Sequence, residues 1–248
     1  MEITVEAWRQ ADHHQVGRFE TYRTEVTPEM SLLEVLDLLN EQLVADGIDP
    51  IAFDSDCREG ICGACGITVN GRPHGPVPNT PSCLQHLNRF PELTHFRLEP
   101  LRANAFPVVR DLVVDRSALD RVIEAGGHVA VNAGQAADAD AELIDHDTAE
   151  TALDFAACIG CGACVAACPN GAAHLFAGAK LAHLSTLTYG AQERGRRARA
   201  IAGQLDHDFG PCSTFGECAQ VCPADIDLSA VAAVNREALR VSFRRRST

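Results

Sequence analysis

The chain has 248 residues and carries 34 acidic side chains against 21 Lys and Arg, so its formal net charge is −13. That charge argues against a protein that coats DNA, RNA or an anionic membrane, and the length predicts one or two domains, with 46% hydrophobic residues to fill their cores. No run of about 18 uncharged apolar residues occurs, and the start carries two Glu instead of a basic, then apolar leader, which predicts a chain that is itself soluble and cytosolic.

The first hundred residues predict strands around a single helix. Alternating or β-rich segments predict strands over Ile3–Trp8, Phe19–Val26, Ile67–Val69 and Leu93–Leu98. The clearest helix begins at Ser31, which forms an S-x-x-E capping box with Glu34, and it ends at Gly47. An Asn70-Gly71 turn follows the third strand. This pattern indicates ferredoxin-like α+β packing.

The remainder of the chain predicts helices. Pro100 and Pro107 interrupt the strand pattern, so we place the domain boundary near Phe106, with domains over 1–105 and 106–248. Helices are predicted over Ser117–Ala125, Thr148–Ala157 and Leu228–Arg240. In the last helix the expected apolar face consists of Leu228, Val231, Ala232 and Leu239. Residues 126–140 are rich in Gly and Ala, which predicts a surface loop and not a part of the core.

Eleven cysteines are the most informative feature of the composition. An odd number cannot pair completely as disulfides, and nothing indicates secretion, so metal ligation is the natural interpretation. The cysteines form three groups, which are Cys57, Cys62, Cys65 and Cys83; Cys158, Cys161, Cys164 and Cys168; and Cys212, Cys218 and Cys222.

The first group has the spacing C-x4-C-x2-C followed by a distant cysteine, which is typical of plant-type [2Fe–2S] centres. Its loop also contains Gly60, Gly63 and Gly66, which let backbone N–H groups turn towards the sulfurs and offset the negative charge of a cluster. The alternative is a structural zinc site, but zinc commonly binds separated pairs of ligands and not three thiolates from one loop.

The second group is a C-x2-C-x2-C-x3-C-P run, whose fourth cysteine belongs to the other cluster in two-cluster ferredoxins. The third group repeats that frame, except that Phe215 replaces the second cysteine. Exchange of the fourth cysteines assigns a [4Fe–4S] cluster to Cys158, Cys161, Cys164 and Cys222, and a [3Fe–4S] cluster to Cys168, Cys212 and Cys218. All 11 cysteines are then used.

Phe215 leaves one alternative open, a [4Fe–4S] cluster with water or another side chain on its fourth iron. Phe cannot coordinate iron, and it would shield that corner from water, which favours the three-iron cluster. Three clusters in one chain indicate electron transfer, because cluster type and environment spread the reduction potentials. We find no G-x-G-x-x-G fingerprint and no phosphate loop, so the electron donor and acceptor are expected on partner proteins.

Together, the segments Cys57–Gly66, Cys158–Pro169 and Cys212–Pro223 resemble the iron–sulfur subunits of succinate dehydrogenase and fumarate reductase over nearly the whole chain. The resemblance implies an N-terminal β-grasp [2Fe–2S] ferredoxin domain followed by an all-α helical ferredoxin domain. It implies electron transfer from a flavoprotein subunit with covalent FAD, which interconverts succinate and fumarate, to quinone in a membrane anchor. The expected order is flavin, [2Fe–2S], [4Fe–4S], [3Fe–4S], quinone.

The resemblance also implies a location on the cytoplasmic side of the cell membrane, where the anchor holds the chain peripherally and the chain alone performs no catalysis. Ubiquinone-linked members have Trp after the first Cys-Pro and His after the first cysteine of the second run; here these places hold Asn170–Ala173 and Ser213. Those contacts cannot be transferred, and the pattern looks more like menaquinone-linked members, whose anchor carries haem b. One alternative is a fumarate reductase that works in the opposite direction. Another is a thiol-linked or soluble fumarate reductase, although enzymes of these two kinds tend to carry further cysteine-rich regions.

Several charged or titratable residues have weaker signals. A role in proton transfer or haem contact is conceivable for His174, His183 and His207, although a lone His is more often a packing or surface residue. The basic segment Arg240–Arg246 could face the anchor, but a solvated tail is the simpler interpretation. Arg58 and Glu59 could contact the flavoprotein or could only solvate their loop.

Overall fold

The computed structural model describes residues 1–129, 144–187 and 190–244, with side chains as far as Arg240. The fold is α+β, as predicted: the strands are concentrated in the N-terminal part and most helices in the C-terminal part.

Five strands of the N-terminal part form one mixed sheet with the order β2-β1-β5-β3-β4. They are β1 (Glu2–Arg9), β2 (Arg18–Glu25), β3 (Ile67–Val69), β4 (Arg72–Pro73) and β5 (His95–Pro100). Strands β1 and β5 are parallel, and the other neighbouring pairs are antiparallel. The four predicted strands are present, although β5 begins two residues later than predicted, and the Asn70-Gly71 turn joins β3 to β4.

Helix α1 (Leu32–Ala45) packs against this sheet and has the predicted capping box. The Ser31 N–H donates to Glu34 Oε2 at 2.7 Å, and the Glu34 N–H donates to Ser31 Oγ at 3.3 Å, so local side chains satisfy N–H groups at the start of the helix. The apolar side of α1 is buried, with Leu36 fully inaccessible. A sheet covered by one helix is the β-grasp arrangement that the sequence resemblance implies.

The C-terminal part starts with a short hairpin and continues as helices. The hairpin consists of β6 (Val108–Arg110) and β7 (Val113–Val114). The helices are α2 (Ser117–Val122), α3 (His146–Ala156), α4 (Ala163–Ala167), α5 (His174–Thr186), α6 (Ala191–Asp208), α7 (Glu217–Gln220) and α8 (Val231–Arg244). Among the described residues, no helix combines the length and the apolar composition that a membrane crossing requires.

The hairpin connects the two halves of the molecule. Phe106 is packed in the core of the helical part, whereas Leu112 is packed in the core of the sheet. The buried Asp111 accepts hydrogen bonds from the N–H groups of Gln10 and Ala52 at 2.8 and 2.9 Å. The boundary predicted near Phe106 therefore lies in a segment that contributes to both cores.

Helices α5 and α6 are absent from the sequence prediction. Residues on all sides of α5 are buried, including Leu175, Ala177 and Gly178, so no polar face alternates with an apolar one. Helix α6 has the opposite composition, since most of its residues are polar or charged. Helix α6 nevertheless buries one side, with Ala198, Ile201 and Leu205 at helical spacing, and the prediction missed it because charged residues surround these few apolar side chains.

The predicted apolar face of α8 was wrong in part. In α8, Val231 is buried as expected, but Ala232 and Leu239 are exposed, and Ala233 and Val234 face the core instead. The prediction missed this face because the face includes a charged residue, Glu237, which is buried in ion pairs with Arg194 and Arg240 and interrupts the apolar pattern. The predicted surface loop over 126–140 lies mostly outside the described residues, but its first two residues, both Gly, are buried.

Candidate metal centres

The first cysteine group lies beside the N-terminal sheet, in the loop before β3 and in a turn after β4. Residues 57–65 precede β3 directly, and Cys83 lies in the short helical turn Ser82–Leu84. Cys65 and Cys83 are buried, whereas Cys57 and Cys62 are half-buried. The four sulfurs therefore form a site with one side in the core and the other side near the surface.

Backbone amides stabilise negative charge in this loop. The Glu59 N–H donates to Cys57 Sγ at 3.3 Å, and the Ala64 N–H donates to Cys62 Sγ at 3.4 Å. Hydrogen bonds from the N–H groups of Glu59 and Ile61 lower the pKa of Cys57 to about 7. The loop therefore suits thiolate ligands and the negative charge of a cluster.

The side chains of Cys65 and Cys83 lie next to each other. The Cys65 thiol is hydrogen-bonded to Cys83, and this contact lowers the pKa of Cys83 to about 6 and raises that of Cys65. Two cysteines this close suit ligands of one shared group.

The second site is a small, partly open pocket in the helical part, with a cavity volume of about 20 Å³. Its lining includes four cysteines, namely Cys158, Cys161, Cys164 and Cys222. Apolar side chains, among them Leu175, Phe176 and Ile226, complete the wall. The four residues assigned to a [4Fe–4S] cluster from their spacing thus border one mostly apolar pocket.

The third site is a neighbouring pocket, also with a cavity volume of about 20 Å³. Its lining includes the remaining cysteines, Cys168, Cys212 and Cys218. Phe215 lies on the rim with 60% of its surface exposed, so in this chain it shields the cavity only in part. The expectation that Phe215 closes this corner to water is therefore met only in part.

The packing places the last cysteine of each run beside the pocket of the other run. Helix α4 follows Cys161 and ends before Cys168, helix α7 occupies the corresponding place before Cys222, and the two helices are in contact. Cys168 leaves its own run to line the third cavity, and Cys222 lines the second. Each cavity therefore combines two distant parts of the sequence.

Burial dominates the electrostatics of the helical sites. It raises the pKa of Cys161 to about 12, and it also raises the pKa values of Cys164, Cys218 and Cys222. Thiols in such surroundings become thiolates when a metal neutralises their charge. The donor set and the enclosure therefore suit iron–sulfur clusters.

The arrangement of donors differs from that of a site for one ion. Among the residues that the structure describes, no three of His, Cys, Asp and Glu surround a point where a single metal ion could bind. The ligands of a cluster bind different irons, so they need not converge on one point.

Of the three histidines singled out in the sequence, two have ordinary hydrogen-bond partners. His183 Nδ1 lies 2.7 Å from the Ala152 carbonyl oxygen, and His207 Nδ1 lies 2.8 Å from Asp208 Oδ1. Arg58 binds both carboxylate oxygens of Asp37. His174 is the exception: it lines the third cavity, and its Nδ1 is buried without a hydrogen-bond partner in the described part of the chain.

Two basic residues beside the cavities were missed by the sequence analysis. Lys180 donates to the Cys158 carbonyl oxygen at 2.9 Å, and Arg116 donates to main-chain carbonyls of both the first and the second site. No sequence signal could have found them, because main-chain carbonyls are acceptors that every residue has.

Two family models match the chain. Residues 2–121 match the model described as a 2Fe-2S iron-sulfur cluster binding domain, and residues 157–226 match the one described as a 4Fe-4S dicluster domain. The matched segments contain all three cysteine groups.

Curated relatives extend over most of the chain. The fumarate reductase iron-sulfur subunit of Haemophilus influenzae is 31% identical over 228 residues, which cover 86% of this chain and 83% of the relative. The succinate dehydrogenase iron-sulfur subunit of Bacillus subtilis is 28% identical over 202 residues, which cover 79% and 75%. A chain with the same fold occurs in a solved structure, the Sdh1 complex of Mycobacterium smegmatis in the apo form. The two chains superpose with a TM-score of 0.68 at 22% sequence identity, and the match covers 98% of this chain and 96% of that chain.

Proposed function

Because this chain belongs to the family of succinate dehydrogenase and fumarate reductase iron–sulfur subunits, we propose that it carries single electrons between a flavoprotein subunit and membrane quinone. The observation that carries this proposal is the division of all 11 cysteines into three separate sites. No cysteine is left over, which fits a protein whose thiols all serve as cluster ligands.

We assign the sites as the spacing indicates. The [2Fe–2S] cluster is held by Cys57, Cys62, Cys65 and Cys83; the [4Fe–4S] cluster by Cys158, Cys161, Cys164 and Cys222; and the [3Fe–4S] cluster by Cys168, Cys212 and Cys218. The cavities support the second and third sets, because each borders its own enclosure. Phe215 supports the three-iron assignment, because the place of a fourth thiolate holds a side chain that cannot bind iron.

When bound, the clusters supply centres that gain and lose one electron without making or breaking a bond in the protein. The chain's own residues bind and insulate them. Cysteine thiolates hold the irons, the amides of Glu59 and Ala64 offset negative charge at the first site, and apolar residues such as Leu175 exclude water from the helical sites.

The partners follow from the same proposal. The electron donor is a flavoprotein subunit with covalent FAD, and the acceptor is quinone in a membrane anchor, which holds this chain peripherally on the cytoplasmic side. The names of the relatives as subunits support a multi-subunit assembly. The absence of a dinucleotide fingerprint from the sequence supports a flavin on a partner.

Menaquinone is the quinone that we propose, with haem b in the anchor. The positions that would hold ubiquinone contacts are occupied by Asn170 and Ser213, which bind each other: Asn170 Nδ2 donates to Ser213 Oγ at 2.8 Å and to the Pro211 carbonyl oxygen at 2.9 Å. This pair has its own partners and lacks the aromatic and imidazole groups of the ubiquinone-linked type. Quinone extraction from the purified complex, with a haem spectrum, tests this assignment.

The decisive experiment is metal analysis and EPR of the purified complex. We expect about nine irons per chain, the sum of two, four and three, and three distinct EPR signals. The isolated chain should oxidise no succinate, whereas the complex with its flavoprotein should. Colourless protein that contains zinc would refute the proposal.

A second candidate is the reverse reaction, fumarate reduction by the same complex. The 31% identity to a fumarate reductase subunit favours it. Rates measured in both directions with the complex distinguish the two, since a fumarate reductase should turn over faster with fumarate and reduced quinone.

A further inference from the structure

The loops that hold the first two sites touch through their main chains. A Cβ added at Gly63 would collide with the Ile159 carbonyl oxygen and lie 3.2 Å from the Cys161 nitrogen. Gly63 also has a φ of +75°, which disfavours any other residue. No side chain therefore separates the two loops at this point.

Arg116 binds both loops at their contact. Its Nη1 donates to the Gly63 carbonyl oxygen at 2.6 Å and to the Cys161 carbonyl oxygen at 2.9 Å, and its Nη2 donates to the Ala64 carbonyl oxygen at 3.1 Å. Only 21% of the side chain is exposed. The planar guanidinium can satisfy three acceptors at once, which a single ammonium group cannot do in this geometry.

The charge of Arg116 is only weakly compensated. Among the described residues, the carboxylate within 4 Å is that of Asp54, whose Oδ2 lies 3.8 Å from Nη2 and whose side chain is 45% exposed. Its hydrogen-bond acceptors are neutral carbonyls. A positive charge with little screening therefore lies between the two predicted cluster sites.

One peptide group connects Arg116 to a ligand sulfur. The Gly63 carbonyl accepts from Arg116, and the Ala64 N–H of the same planar peptide donates to Cys62 Sγ at 3.4 Å. Polarisation of the carbonyl strengthens donation by the N–H on its opposite side. Arg116 therefore acts on the sulfur through an oriented peptide as well as through space.

We propose that Arg116 is a positioning residue that clamps the first two cluster loops together and raises the reduction potentials of both clusters. This inference rests on the proposed function, because it assumes clusters at the two sites. Reduction adds a negative charge to a cluster, and a nearby positive charge stabilises that form. The same contacts hold the loops at a constant separation.

The test uses the intact complex with Arg116→Gln, Arg116→Lys and a matched control, Arg121→Gln. Arg121 lies in helix α2, whose N-cap residue is Arg116, but it binds Asp208 at 2.8 Å. EPR-monitored redox titrations give each potential, and the relaxation of the [2Fe–2S] signal reports its magnetic coupling to the [4Fe–4S] cluster.

We expect Arg116→Gln to lower both potentials and weaken the coupling, while the third cluster stays unchanged. Arg116→Lys should keep the potentials close to those of the native complex and weaken the coupling, and Arg121→Gln should change neither. Native potentials in an Arg116→Gln complex with both clusters present would overturn the proposal. Should that variant lack the clusters, the Lys variant decides: native relaxation overturns the clamp, and weakened relaxation supports it. If the unmodified complex shows no cluster signals, the proposed function itself fails.

Discussion

The surface edge of the first site and the interior of the helical part place cysteines in opposite electrostatic environments. At that edge, amide N–H groups lower the pKa of Cys57 to about 7, because hydrogen bonds favour the thiolate. In the helical part, burial raises the pKa of Cys161 to about 12, because apolar surroundings disfavour charge. Cys57 is therefore prepared to be a thiolate before iron binds, whereas Cys161 becomes charged only when a metal neutralises it.

The two regions also differ in how they are built. Three ligands of the first site lie in nine consecutive residues, so one local loop shapes most of it. The second cavity needs Cys222, more than fifty residues after the other three cysteines that line it. The loop site should therefore survive changes in the helical part.

The largest effect is expected from removing the exchanged ligand by Cys222→Ser. We expect loss of the [4Fe–4S] signal and a fall from about nine to about five irons per chain, while the [2Fe–2S] signal persists. Iron analysis and EPR of the dithionite-reduced complex measure both changes. Cys218→Ser is the matched control, in the same run, and should remove the three-iron signal instead. A Cys222→Ser complex that loses only the three-iron signal would contradict the exchange.

The second effect is a change of cluster type, through Phe215→Cys. A fourth thiolate on the rim of the third cavity should convert the three-iron centre to a four-iron one with a lower potential, which slows quinone reduction. EPR of the oxidised complex measures the conversion as loss of the three-iron signal. Phe215→Leu should leave that signal in place, and an unchanged spectrum in the Cys variant would count against the ligand frame.

A smaller effect is expected at the contact between the two regions, through Gly63→Ala. The added methyl group meets backbone atoms of the second loop at a positive φ, which should cost about 3 kcal/mol of stability. Gly71→Ala is the control: φ is +79° there, but nothing lies within 4 Å, so we expect about 1 kcal/mol. Thermal melts of the complexes compare the two, and equal losses would show that the loop contact is unimportant.

The smallest effect concerns an ion pair inside the helical region, through Asp208→Asn. Arg121, followed by His207 and Gln204, holds the pKa of Asp208 at about 2, below its usual 3.8. The pair therefore stabilises the fold above about pH 4, and the contribution disappears as pH falls through 2. Because Arg121 is 45% exposed, we expect only about 1 kcal/mol. The free energy of unfolding of the Asp208→Asn variant should depend less on pH between 4 and 2 than that of the native protein. The same pH dependence in both proteins would contradict this prediction.

The elements that the sequence predicted well are those with local signals. The Ser31 capping box and the apolar stripe of α1 appear as predicted, as does the turn at Asn70-Gly71. Helix α5 was missed because it is buried on all sides, which erases the one-sided pattern, and α6 was missed because its few buried apolar residues lie among many charged ones. The buried face of α8 was misassigned because it contains the charged Glu237, which is buried in ion pairs.

The sequence by itself determined the chemistry of the proposed ligands. The spacing of cysteines within a short run limits which cluster they can hold, and a Phe in place of a cysteine removes a ligand whatever the fold. Only the tertiary structure decided which charges lie beside those ligands. Arg116 reaches Gly63 and Cys161 across more than forty residues in each direction. Its acceptors are main-chain carbonyls, which no side-chain pattern encodes. The contact between Arg116 and these carbonyls therefore depends on how the sheet and the helices pack together.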